Sequence, residues 1–175
     1  MHWMFLPLKR YAEFSGRSRR TEYWMFFLFQ ILLMVAFWVL LAIVGGGALM
    51  SGGDPTALAA AGGAVMLVSV LYGLVSLALL IPGIAVTVRR LHDTNRTGWW
   101  VLAPIAGYVI MLIGTVMVAS SPDNPGLGGI LALVGGLTAL VLALVLLVFM
   151  FLEGTRGPNN YGPDPKGEAL DQVFA

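Results

Sequence analysis

Long apolar runs alternate along the chain with short polar clusters. Four stretches carry no Asp, Glu, Lys, Arg or His: Trp24–Val44, Val65–Val88, Trp99–Ala119 and Ile130–Leu152, of 21, 24, 21 and 23 residues. At about 1.5 Å per residue, each reaches across the roughly 30 Å hydrocarbon core of a bilayer. The fourth holds sixteen Ile, Leu, Val or Phe residues. Each of these favours insertion by roughly 0.3–0.6 kcal/mol near the bilayer centre, and no charge opposes them. Four such helices in a soluble core would lack an amphipathic shell to cover them. The pattern predicts an all-α membrane protein with four transmembrane helices.

The polar stretches between the runs predict the rest. Residues 1–23 read as a short N-terminal interfacial helix and a turn: Trp3, Phe5, Leu6, Tyr11 and Phe14 supply amphipathic anchors, Lys9 and Arg10 the cationic face. Ser15-Gly16 breaks that helix, and Ser18 is the expected N-cap of the first span, with Glu22 in its opening turns. The glycine-rich stretch Gly45–Ala64 is expected to form a loop with a turn at Asp54-Pro55, leaving the start of the second span uncertain by several residues. Pro82 lies inside that span and frees the carbonyl of Ala78, predicting a kink. Gly83 beside it permits a close neighbour. Trp99-Trp100 fit an interfacial belt at the start of the third span. Ser120–Gly129 is a turn, and the Gly/Pro/Asn-rich GTRGPNNYGPDPKGE after the fourth span is a series of turns. The expected organisation is one membrane domain over residues 1–167, followed by a flexible tail, 168–175.

Composition agrees with a lipid solvent: 58% of the residues are hydrophobic and 11% charged, against about 25% charged in soluble domains. With no cysteine, thiolate metal sites, disulfides and cysteine nucleophiles are excluded. The net charge of +1 argues against a nucleic-acid partner. The distribution of charge is more informative. Five cations precede the first span (Lys9, Arg10, Arg17, Arg19, Arg20), three lie between the second and third (Arg89, Arg90, Arg96), and two follow the fourth (Arg156, Lys166). The other two loops hold none, so the positive-inside rule places both termini in the cytoplasm. With seven carboxylates on the inner side (Glu13, Glu22, Asp93, Glu153, Asp164, Glu168, Asp171), that face is 10 − 7 = +3, while Asp54 and Asp123 leave the outer face at −2. More than twenty residues precede the first apolar run, and its 21 residues exceed the core of a cleaved signal peptide, so none is expected.

Candidate chemistry is confined to this basic side. Arg17, Arg19, Arg20, Arg89, Arg90 and Arg96 form a potential nest for phosphate, and arginine suits bidentate phosphate contact better than lysine. The competing reading is structural, with arginines enforcing topology and pairing with Glu22, Asp93 and Glu153. A carboxylate at the lipid boundary needs such a partner to stay ionised. His92 and Asp93 fall on one helical face with Arg89 and Arg96 if the second span continues, but one His and one carboxylate make neither a metal site nor a triad. No catalytic residue, metal ligand or cofactor is expected. Asn159, Asn160 and Tyr161 sit in turns suited to folding back as a lid, or to serving as an ordered exit from the last helix. Coupled transport normally requires ionisable residues within the membrane, and these spans have none. Small-residue pairs such as Ala103/Gly107 and Ala132/Gly136 suit helix association within or between chains.

Three segments, YAEFSGRSRRTEYW, IPGIAVTVRRLHDTNRTGWW and EGTRGPNNYGPDP, resemble in order the signatures of the DUF805 family of small bacterial inner-membrane proteins. Asn95-Arg96-Thr97 departs from the Gly-Arg-Ser-like run common there, and the membrane loops are longer and richer in Gly and Ala. The resemblance implies a multi-pass protein of the bacterial cytoplasmic membrane and no particular activity. The combined expectation is a non-enzymatic membrane protein. It acts through a protein partner or an anionic phospholipid held at a cytoplasmic cap made of Arg17, Arg19, Arg20, Glu22, Arg89, Arg90, His92, Asp93, Arg96, Trp99, Trp100, Glu153, Asn160 and Tyr161. The alternative is a homo-oligomeric transporter or channel for small solutes.

Overall fold

The structure is a computed structural model describing residues 2–50, 52, 54–121, 124 and 126–167. The expected turn at Asp123 and the expected tail, 168–175, lie outside the described residues. Five helices are present among them: α1 (His2–Lys9), α2 (Arg20–Met50), α3 (Pro55–Asp93), α4 (Ala103–Ser120) and α5 (Gly126–Phe151), with a 3₁₀ turn (Gly98–Leu102) leading into α4. Four segments are long and apolar enough to cross a membrane: Arg20–Gly47, Pro55–Asp93, Gly98–Ser120 and Gly126–Phe151. The all-α membrane architecture predicted from the apolar runs is the observed one.

The helix ends differ from expectation in an instructive way. Gly45–Gly47 and residues 55–64 are helical rather than looped. Apolar surroundings penalise any unpaired backbone group, so a glycine run continues a helix where water would let it unwind. α2 runs to Met50 and α3 begins at Pro55. Asp54-Pro55 starts α3: the Asp54 carboxylate accepts the Thr56 N–H at 3.0 Å, its carbonyl accepts the Leu58 N–H at 2.9 Å, and Pro55 takes the first helical position. At the start of α2, the expected Ser18 cap is not made. The helix begins at Arg20, the Arg19 carbonyl accepts the Tyr23 N–H, and the Ser18 hydroxyl turns to the Arg19 carbonyl.

The chain divides into two compact units, Met1–Glu13 with Trp24–Ala85 and Phe14–Tyr23 with Val86–Ala175. In the first, α1 lies against α2 through an edge-to-face pair, Phe5–Phe29, with ring centroids 5.4 Å apart. Phe37 of α2 stacks on Tyr72 of α3 at 4.1 Å. Gly83 does admit a close neighbour, since a Cβ there would lie 3.2 Å from the Gln30 amide nitrogen and against Phe26.

In the second unit, α4 and α5 form a tight hairpin whose seam is built from glycine. A Cβ on Gly107 would overlap the Ala139 backbone, on Gly114 the Ala132 backbone, and on Gly135 the Met111 backbone. Removing side chains at these points lets the backbones touch, which is how apolar helices gain dispersion energy without a hydrophobic driving force. Gly107 and Ala132, two of the predicted small-residue positions, thus serve association within the chain.

Candidate functional site

The second unit gathers the three sequence-distant polar segments around the C-terminal end of α3. That end is set by its own sequence. Asn95 adopts a left-handed conformation (φ 57°), its N–H donates to the His92 carbonyl at 3.0 Å, and the Arg96 N–H donates to the Leu91 carbonyl at 3.0 Å. This paired reversal closes a helix without glycine, and asparagine tolerates the conformation better than other side chains. The helix therefore stops at Asp93, and Arg96 does not continue the face expected for Arg89, His92 and Asp93.

Segments from both ends of the chain complete the closure. The Ser18 N–H donates to the Arg89 carbonyl at 3.1 Å. The Thr155 N–H and hydroxyl both donate to the Asp93 carbonyl, at 2.8 and 3.2 Å, and the Asn159 side-chain amide donates to the His92 carbonyl at 2.9 Å. The last turn of an α-helix carries carbonyls with no partner inside the helix. Here they are satisfied by residues about 70 positions upstream and 60 downstream.

The arginines divide into two groups by burial. Arg89 and Arg90 are 0% exposed and Arg17 6%. Arg17 donates from Nε to Asp93 Oδ1 at 3.0 Å, and from its terminal nitrogens to the carbonyls of Thr155 and Gly157. Arg90 donates to the other Asp93 oxygen and to the carbonyl of Leu152. Arg89 donates to Glu22 Oε1 at 2.8 Å, both groups being buried. Nearer the surface, Arg20 pairs with Glu153 at 3.3 Å, and Arg19 donates from Nε to the Pro165 carbonyl at 2.7 Å. Arg96 lies with its guanidinium 4.1 Å from the Phe149 ring centroid and donates to the Thr94 carbonyl. The expected pairing of Glu22 and Glu153 with arginines is thus observed for both.

His92 and Asp93 do not act on one another. His92 Nδ1 lies 3.1 Å from the Gly16 carbonyl, which requires that nitrogen to carry the proton, and its ring stacks on Tyr161 at 3.9 Å. Among the described residues no group of three His, Cys, Asp or Glu side chains converges as a metal site would require. Trp99 is 77% exposed, while Trp100 packs edge-to-face on Phe149 at 5.2 Å. Asn160, singled out from sequence, is exposed at the tip of a turn. Its neighbour Asn159 is the structural residue, also bonding Thr155 Oγ1 and the Tyr161 N–H.

Four further residues escape the sequence reading. Gly154 lies where a Cβ would overlap the Asp93 carboxylate. Gly157 (φ 72°) and Gly162 (φ 138°) hold conformations that side chains resist. Asp164 accepts the N–H groups of Gly157 and Lys166, at 3.0 and 2.9 Å. The Lys166 N–H first, with that of Gly157, holds its carboxyl below the ordinary carboxylate value. The Gly/Pro/Asn density signalled ordered turns here but not which atoms they bind.

The family described as proteins of unknown function, DUF805, matches residues 11–163. The chain belongs to the DUF805 family. The matched range contains all the predicted cap residues and ends just before Asp164. The chain is 32% identical over 166 residues to inner membrane protein YhaI of Escherichia coli K12, covering 95% of this chain and 97% of the relative. It is also 32% identical over 168 residues to inner membrane protein YhaH of the same strain, covering 96% and 99%. A shorter match, 33% over 86 residues, joins it to the uncharacterized protein YiiR. No solved structure matches.

Proposed function

We propose that the protein is a non-enzymatic resident of the bacterial inner membrane, with both termini in the cytoplasm, whose folded basic cap binds anionic phospholipid headgroups. The observation that carries this reading is the charge left over once the cap is built. Over the inner-side segments of the second unit, residues 14–23, 86–98 and 153–175, there are eight cations (Arg17, Arg19, Arg20, Arg89, Arg90, Arg96, Arg156, Lys166) and six carboxylates (Glu22, Asp93, Glu153, Asp164, Glu168, Asp171), a balance of 8 − 6 = +2. Glu22 and Asp93 offset two of the three buried arginine charges (Arg17, Arg89, Arg90), and the remaining cations lie on outer side chains. Arg156 and Lys166 are exposed, and Arg19, Arg20 and Arg96 half-buried. A cation near an anionic membrane surface gains about 1 kcal/mol, and exposed Trp99 suits headgroup depth. The non-enzymatic part is supported by the commitment of His92 and Asp93 to hydrogen bonds that hold the fold. The inner-membrane assignment is supported by the names of YhaI and YhaH.

Lipid retention in native mass spectrometry tests the reading. The variant changes Arg96, Arg156 and Lys166 to glutamine, leaving the buried arginines that hold the cap together. The unaltered protein is expected to retain phosphatidylglycerol and the variant to lose it while keeping its thermal midpoint. Equal retention by both would end the proposal. Orientation is tested separately by reporter fusions, with cytoplasmic signals expected at both termini.

A further inference from the structure

Pro82 lies inside α3 and has no N–H to give the carbonyl of Ala78. In an apolar helix long enough to cross a membrane, where Leu77, Leu80 and Ile81 are exposed, a carbonyl with no donor is costly. The structure supplies a donor from elsewhere: the Tyr11 hydroxyl donates to the Ala78 carbonyl at 2.5 Å, from 67 residues upstream. Tyr11 follows α1 directly. Its turn is fixed by Arg10, whose guanidinium holds Glu13 through two bonds, at 2.8 and 2.6 Å. On the other side of this turn, α1 is anchored by Phe5 on Phe29 and by Pro7, which is fully buried. Trp3, Phe5 and Lys9 remain exposed, giving α1 the character of a helix lying in the headgroup layer.

We propose that α1 and the turn after it form a strap that Tyr11 latches onto α3 at Pro82, so that docking of the strap and closure of the α3 backbone are one event. The latch repairs a hydrogen bond that the helix cannot make for itself. Anything that draws α1 away from the protein, such as a change in the lipid surface it lies on, opens α3 between Ala78 and Pro82. Conversely, loosening of α3 at that point frees the strap.

Pro82→Ala restores an N–H at position 82 and so makes the tyrosine hydroxyl redundant, which gives a four-protein test in lipid nanodiscs: the unaltered protein, Y11F, P82A and the double variant. Hydrogen exchange is followed over residues 76–88. Exchange is expected to rise about fivefold or more in Y11F, corresponding to the loss of one hydrogen bond. Adding Y11F to P82A should change nothing. No effect of Y11F beside Pro82, or the same effect in both backgrounds, would overturn the latch. The chain has no cysteine, so Lys9→Cys offers a unique site for a spin label. The label is expected to gain mobility in Y11F, which removes the latch. A label equally restrained in all four proteins would show that the strap is held independently and would overturn the coupling.

Discussion

With Arg17 on one carboxylate oxygen and Arg90 on the other, Asp93 is committed on both sides, and each of its partners is buried. Asp93→Asn would leave two guanidinium groups facing a neutral amide. Removing one member of a buried ionic cluster costs about 3–5 kcal/mol, because an uncompensated charge stays behind. The thermal midpoint in detergent should therefore fall sharply. A midpoint within error of the unaltered protein would show that the network is dispensable. Asp164 provides a second check through pH. Its folded pKa is lowered, so its contribution is fully present above the unfolded value of about 4 and is lost as pH falls through the lower folded value. The amide resonances of Gly157 and Lys166 should shift together in that acid range and remain constant above pH 5. At this scale the sequence discloses which residues cluster, because charge is so scarce in the chain. It does not disclose partners. Asn159 and Asn160 are indistinguishable in composition, and only the Asn159–Gly162 bridge turns one inward and the other to solvent.

Glycines separate by the same physical test at the scale of helices. Nothing lies within 4 Å of a Cβ built on Gly46 or Gly73, whereas Gly114 and Gly135 are pressed against the opposite backbone. Replacing Gly73 by alanine should be neutral or stabilising, by up to about 1 kcal/mol. The same change at Gly114 or Gly135 should force α4 and α5 apart and lower stability by about 1–3 kcal/mol. Chemical denaturation of the three single variants would decide, and equal behaviour at all three sites would contradict the seam. The existence and number of spans were legible because lipid demands about twenty apolar residues. Their ends were less so. Glycine counts as a breaker in water, yet α2 runs through Gly45–Gly47 because lipid offers the backbone no other partner. Asp54-Pro55 carries signals for both a turn and a helix start, and the chain uses it as the start.

For the whole molecule, the placement of ten Lys and Arg residues in three of five non-spanning segments predicts orientation, and the fold uses the same residues a second time as cement. The all-α membrane class could be read from the pattern alone. The cap could be read as a location but not as a structure, since its defining bonds join residues some 60–140 positions apart. That double use of the arginines has a consequence in biosynthesis. The end of α3 emerges from the ribosome long before Thr155 and Asn159, the residues that close it. Until those arrive, the carbonyls of His92 and Asp93 stay open, and the nascent chain carries an unfinished helix end beside the membrane. A chain terminated after Leu152 would keep every span and eight of the ten cations that set topology and still never finish. Pulse-chase decay of that truncated chain, faster than for the full protein, would mark the last fifteen described residues as the signature of a completed molecule.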